Sequence, residues 1–506
     1  MNRSPNHRTV HGLRNVRLVD RPGPEEIGIR LGRLHDGPLD SGEVVDGAGG
    51  WLLPGFVDAH LHMGLGGEGM SQLDLSGVRS RNEFEAAIAA EHERLPAGRW
   101  LRALGWNEER FPGDGVPDRE WLRAAGDRPV VAYRVDFHAC VVNEAVLERL
   151  ELGGDPPGGR IERSGDGRPT GLMVEAAAWH LVNPVVPESD LDQRREAMRL
   201  ADRHFASKGI VAVGSMEYGK DLTEALAPIR DELGVRVMVT LLDRDWPLDL
   251  GLAGSFPGDE RLRVIGYKAF VDGTLGSRSA AMLAPYPDDP GGSTGMLVEL
   301  AEQGVLGEWL ELVEASGLSP SMHVIGDRAL RLALDAADRL PEEARARVRF
   351  EHVQTVDPAD LSRMDGRFAS MQPLHRTLDA GIAESRLGAD RLRNFFPIDS
   401  LRNAGARLAF GSDWPIVDCD PFEGIRAAVT PCGVGPREVI GVRDALAAYT
   451  TGARNCLGLD GGTLEPGAPA DLVLLDRDPT MVDWSGGESP EVLMTIVGGR
   501  VVHEQG

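Results

Sequence analysis

At 506 residues the chain is long enough for a large core, whether as two to four average domains or as one large barrel with an appendage. Its 79 Asp and Glu against 54 Lys and Arg leave a formal charge of −25 with no basic stripe, which excludes nucleic acid as a partner. No apolar run approaches the roughly 18 residues of a membrane span, the first residues lack the apolar centre of a signal peptide, and four scattered cysteines (Cys140, Cys419, Cys432, Cys456) point to a reduced, cytoplasmic setting.

In chain order, the segments Gly12 to Val19 and Glu26 to Leu31 alternate in polarity and are broken by Pro and Gly, as antiparallel strands are. Pro54-Gly55 then marks a turn, and Phe56 to His62 reads as a short buried strand. Side chains alternate along a strand, so Asp58, His60 and His62 share a face. Two imidazoles on one face begin a metal site, although two hydrogen-bonded histidines at a strand end carry the same pattern. From Ser71 to about Pro187, helical pieces such as Asn82 to Leu95 alternate with loops rich in Gly, Pro and charge, including Arg110 to Pro117 and Gly153 to Thr170. This stretch reads as an insertion that shapes a binding pocket.

After Ser189 strands and helices alternate. The strand candidates are Gly209 to Ser215, Val235 to Leu242, Val264 to Val271, Ser321 to Ile325, Val348 to Val353, Phe368 to Gln372 and Arg407 to Asp413. With the opening strand they make eight, which predicts an α/β fold of the (β/α)₈ TIM-barrel type. The C-terminal segments Ala470 to Leu475, Leu493 to Val497 and Arg500 to His503 share the texture of the N-terminal ones. Neither end is long enough to bury a sheet alone, so both are predicted to pair into one small β-sandwich. The expected division is residues 1–55 plus 456–506 for this small domain and 56–455 for the barrel, with an inserted subdomain at about 71–187.

Active sites of such barrels lie at the C-terminal strand ends. Strand one ends with His60 and His62, strand four carries Lys268, strand five His323, strand six His352, and strand eight ends at Asp413. Any one of these histidines could be structural; four of the chain's 13 on strand ends point jointly to a metal site. Lys268 stands out because only three of the 54 basic residues are lysines.

The order of these residues, and the words Pro54-Gly-Phe-Val-Asp-Ala-His-Leu-His, Lys268-Ala-Phe-Val-Asp-Gly-Thr-Leu-Gly-Ser-Arg, His323-Val-Ile-Gly-Asp-Arg-Ala, Glu351-His-Val-Gln and Gly411-Ser-Asp-Trp-Pro, resemble the amidohydrolase superfamily. They are similar to its family 3 branch, which includes N-substituted formamide deformylases. The resemblance runs over nearly the full chain. It departs at Asp136-Phe-His-Ala, where relatives carry Gly in place of Phe137, so substrate preference does not transfer through the insertion.

The resemblance implies a metal-dependent hydrolase with two divalent ions, zinc by preference, held by His60, His62, Lys268, His323, His352 and Asp413. Neutral imidazoles suit Zn²⁺ or another borderline ion. A protonated Lys cannot ligate, and the resemblance implies that CO₂ carboxylates Lys268 to a bridging carbamate. An unmodified Lys268 with a single metal, or a Lys268–Asp272 ion pair, stays open. Metal binding lowers the pKa of water from about 15.7 towards about 7. The hydroxide so formed attacks a polarised carbonyl, and Asp413 carries its proton to the leaving nitrogen. An Asp in a turn before Trp414-Pro415 is the plainer alternative. Arg278 could hold a substrate carboxylate, His138 could reach over the metals, and Trp106, Trp414 and His375 could line the pocket; Asp327 and Glu351 could orient ligands or cap helices. The expected reaction is cleavage of an amide-type C–N bond in a small N-formyl or N-acyl substrate. The alternatives are a cyclic amide, carbamate or ester bond, a mononuclear lyase or isomerase, or metal binding without catalysis. A homo-oligomer is left open.

Overall fold

A computed structural model of the chain describes residues 8–19, 21–37, 39, 41–111, 113–135, 137, 139–156, 159–175, 177–242, 246–431, 433–434 and 438–505. It falls into two compact units, residues 1–63 with 201–506 and residues 64–200.

The first unit contains eight parallel strands paired in sequence order: Phe56–Leu61, Ile210–Glu217, Arg236–Leu241, Leu262–Phe270, Ser319–Val324, Arg349–His352, Phe368–Met371 and Arg407–Phe410. They are the eight apolar runs of the sequence, and they read as continuous runs because most are buried on both faces. The sheet nearly closes. At the seam, beyond the regular ladder, Asp413 N donates to His60 O at 2.6 Å and His62 N donates to Trp414 O at 2.8 Å. Gly411 allows this approach, since a Cβ there would lie 2.6 Å from His60 N and 2.7 Å from Asp58 Oδ1. The seam therefore puts the end of strand eight against the histidine pair of strand one.

Both termini contribute to a second sheet in this unit, in the order Arg500–Glu504, Val492–Val497, Leu472–Leu475, Trp51–Pro54, Gly12–Leu18, Arg21–Arg30 and Arg33–His35, with Val44–Asp46 beside Gly12–Leu18. Its apolar face is built from Leu13, Val16, Leu52, Leu472, Leu474 and Ile496. A buried ionic knot ties it to the barrel: Asp471 accepts from Arg236 Nε at 3.0 Å, from Arg454 Nη2 at 2.6 Å and from Gly498 N at 2.7 Å. Against burial, the two guanidinium groups hold its carboxyl below the ordinary range. Asp471→Ala strands two buried cations and is expected to cost about 3–5 kcal/mol in guanidinium unfolding. A loss below about 1 kcal/mol, the value of an exposed pair, would show that the knot is solvated.

The inserted unit departs from the expected mixture of helices and loops. The helix is there, at Arg81–Arg94, with Ser80 Oγ accepting from Glu83 N. The rest is organised by a six-stranded sheet: Gly159–Arg163, Pro169–Glu175, Ala139–Val142, Val130–Arg134, Leu101–Trp106 and Leu73–Asp74. The expected loop Gly153 to Thr170 contains the edge strand Gly159–Arg163. Its charged residues alternate with one buried side chain, Ile161, so an edge strand bearing charge against self-association reads as a loop. No helix among the described residues is long and apolar enough to cross a membrane.

Candidate metal centre

The polar side chains that end the barrel strands converge. His60 and His62 point their Nε2 atoms at the same oxygen, Asp413 Oδ1, at 3.4 and 3.2 Å. Donor atoms of His60, His352 and Asp413 all lie within 4.8 Å of one another. The His352 ring centroid is 5.0 Å from that of His60 and 4.4 Å from that of His323.

Hydrogen bonds to the outer ring nitrogens decide which nitrogen faces the cluster. His60 Nδ1 donates to Glu351 Oε2 at 2.7 Å, and His352 Nδ1 donates to Gln372 Oε1 at 2.8 Å, so each presents a bare Nε2 inward. His323 is reversed: its Nε2 donates to Gly273 O at 3.1 Å, which leaves Nδ1. Glu351 is itself held by Ser321 Oγ at 2.6 Å and Arg349 Nη2 at 2.9 Å. Burial works against its ionisation, but Arg349 and His60 keep the carboxyl well below the usual range. Asp58 lies beneath the pair, accepting from His60 N at 3.0 Å and Ser412 Oγ at 2.5 Å, and burial pushes its carboxyl up to about 7.

The donor set fits a divalent ion. Burial lowers the pKa of His62, of His352 and of His323, the last to about 3 with the Lys268 charge adding to the effect. These imidazoles are neutral at pH 7 and offer lone pairs rather than protons. Two bonds of about 2.0–2.2 Å meeting near the tetrahedral angle span roughly 3.4 Å, which is the His60–Asp413 spacing of 3.4 Å. His352 and Asp413 also sit at φ of 72° and 61°. Such strain in non-glycine residues concentrates at functional sites.

Lys268 is 2% exposed on strand four, beside Ser321 of strand five. Its charge reaches His323, His352 and Glu351, and its Nζ lies 5.4 Å from the Phe270 ring centroid. Asp272, the alternative ion-pair partner, spends its oxygens on the backbone N–H groups of Ala281, Ile325 and Gly326.

The second-tier residues divide. His375 joins the cluster, 3.8 Å from Asp413 Oδ2 and stacked on His352. Arg278 is not presented to it: Nε and Nη2 each bind Asp288 at 3.0 Å, and Arg386 pairs with the same carboxylate. Trp106 lies in the core of the inserted unit, with its Nε1 donating to Ala132 O at 2.8 Å. Trp414 packs its ring on Phe205 and His204 rather than on the histidine cluster. Asp327 accepts from Leu283 N at 2.7 Å and so pins the loop after strand four. His138 lies outside the described residues. The reading of strand ends missed Gln372, Ser321 and Arg349. Period-two counting back from Glu351 and from Gln372 would have found Arg349 and the inward face of strand seven.

Glu351→Ala removes the acceptor that orients His60 and is expected to weaken metal affinity by about 10- to 100-fold, read by competition with a chromophoric chelator. Unchanged affinity would show that His60 is oriented without it.

A family model described as "Amidohydrolase family" matches residues 43–503. Protein LONG AFTER FAR-RED 3 of Arabidopsis thaliana is 32% identical over 93% of this chain and 85% of that protein. The N-substituted formamide deformylase of Arthrobacter pascens is 26% identical over 92% and 90%. Among solved structures, an uncharacterized metal-dependent hydrolase from Pyrococcus furiosus matches with a TM-score of 0.75 and 29% identity, over 93% of this chain and 99% of that one.

Proposed function

The chain belongs to the amidohydrolase family and is a hydrolytic enzyme, and on that premise we propose that it breaks an amide-type C–N bond in a small N-formyl or N-acyl substrate. The observation that carries the reading is the convergence of His60 and His62 on one oxygen of Asp413. His60, His62, His323, His352, Lys268 and Asp413 would hold two divalent ions, zinc by preference, with Lys268 contributing as its carbamate. When bound, such ions supply Lewis acidity and activate water near neutral pH.

The residues divide the remaining work. Glu351 and Gln372 hold the imidazole protons on the outer nitrogens and so keep the inner ones bare. Asp413 has one oxygen engaged between the histidines, and its other oxygen, on the His375 side, takes a proton and passes it to the leaving nitrogen. The net charge of −25 and the dispersed free cysteines support a small-molecule substrate and a reducing, cytoplasmic setting.

The preference for formyl or acyl amides rests on the similarity to the formamide deformylase. Turnover of N-substituted formamides, acetamides and cyclic amides by enzyme of defined metal content tests it. Hydrolysis of open-chain amides is expected. Hydrolysis confined to cyclic amides, carbamates or esters would move the reaction to that bond, and single-metal enzyme that rearranges or eliminates without hydrolysis would overturn the reading.

A further inference from the structure

A second constellation of metal-ligating side chains stands apart from the cluster at the strand ends. His204, in the last turn of the helix Leu191–Ser207, meets Asp418 and Cys419, from the segment that follows strand eight. Each offers one donor atom, and the three atoms lie within 4.8 Å of one another.

The surrounding contacts hold these donors in place. The Trp414 ring packs 5.8 Å from the His204 ring and 5.2 Å from that of Phe205, which sets the helix against the segment on one side. On the other side, Lys208, in the turn just past the end of that helix, donates from Nζ to Asp420 Oδ2 at 2.8 Å. Asp420 also accepts from Phe422 N at 2.9 Å, capping the helix Pro421–Val429, and its own N donates to Asp418 Oδ1 at 3.2 Å. The positive charge of Lys208 is thus matched by Asp420, and Asp418 remains as the carboxylate beside the histidine. Cys419 is 2% exposed and forms no disulfide.

We propose that His204, Asp418 and Cys419 form a three-donor site for a borderline-soft divalent cation such as Zn²⁺, separate from the centre at the strand ends. One nitrogen, one sulfur and one oxygen make a ligand set that zinc accepts, and three protein donors leave one tetrahedral position open. Burial keeps His204 neutral and Cys419 a thiol in the metal-free chain. Binding therefore exchanges the thiol proton for the cation: the S–H bond breaks, an S–metal bond forms, and one proton leaves to solvent.

Cobalt(II) separates this site from the strand-end cluster by spectrum, because the donors of that cluster are nitrogen and oxygen only. Titration of the metal-free full-length chain with Co²⁺ is expected to raise a near-ultraviolet sulfur-to-cobalt charge-transfer band that saturates at one ion per chain. The band is expected to vanish in Cys419→Ser, to weaken in His204→Gln and in Asp418→Asn, and to persist in Cys432→Ser and Cys456→Ser. Zinc analysis should find one ion fewer per chain in Cys419→Ser than in the unaltered protein. If Cys419→Ser folds poorly, the His204 and Asp418 variants carry the same readout. A saturating titration without a sulfur band, or a band that survives Cys419→Ser, would overturn the site.

Discussion

Asp413→Asn is expected to lower kcat by about 100- to 10,000-fold, the contribution of a positioned proton-transfer group, while most of the bound metal remains. The side chain sits where two demands meet. Its Oδ1 lies 3.4 and 3.2 Å from the Nε2 atoms of His60 and His62, and its N–H is fixed on His60 O at 2.6 Å. Asparagine keeps the shape and one oxygen for the histidine side, but its amide cannot take up and return a proton. Metal analysis beside kcat separates the two roles: full turnover with full metal would remove Asp413 from the chemistry, and loss of both in step would reduce it to a ligand.

Lys268→Ala has the next largest expected effect. It is expected to cut the metal bound at the strand-end cluster from two ions to one and to lower kcat/KM by about 100-fold or more, since a lost Lewis-acid contact is worth several kcal/mol. A small carboxylate such as propionate, diffusing into the space left, is expected to restore part of both. Labelling the unaltered protein with ¹³C-bicarbonate should give a carbamate carbon resonance that is absent from the variant. One ion at that cluster with no carbamate signal would favour the mononuclear reading and assign Lys268 to the charge balance around Glu351 and His323.

Much of this was legible because the barrel strands are buried on both faces. A run such as Ile210–Glu217 is buried throughout and apolar as far as Gly214, and the polar residues near its end are conspicuous. His60, His323 and His352 stand out against such runs. Residues that act one layer back are harder to read. Glu351 reads from the sequence as a residue that orients ligands, but its buried ion-pair partner Arg349 does not, because charge is not expected inside the barrel and only the three-dimensional register places Arg349 beside Ala59. The inserted sheet was hidden for the opposite reason: its edge strand shows one buried residue among charges. Trp106 illustrates a further limit. An aromatic side chain in a pocket and one in a core have the same local sequence, and only the partner of its indole N–H, Ala132 O, decides between them.

The pairing of Trp51–Pro54 with Leu472–Leu475 has a consequence for the order of events during synthesis. Trp51–Pro54 runs through Gly55 directly into the strand bearing His60 and His62, yet its partner is made some 420 residues later. Every donor of the strand-end cluster leaves the ribosome before the strand that anchors the first of them. Closing so long a loop adds little entropy cost per residue but delays the contact. Until then Trp51–Pro54 is paired on one side only, with Gly12–Leu18, and a chain stopped before residue 472 would carry the whole cluster and lack the second partner of the strand that leads into its first pair.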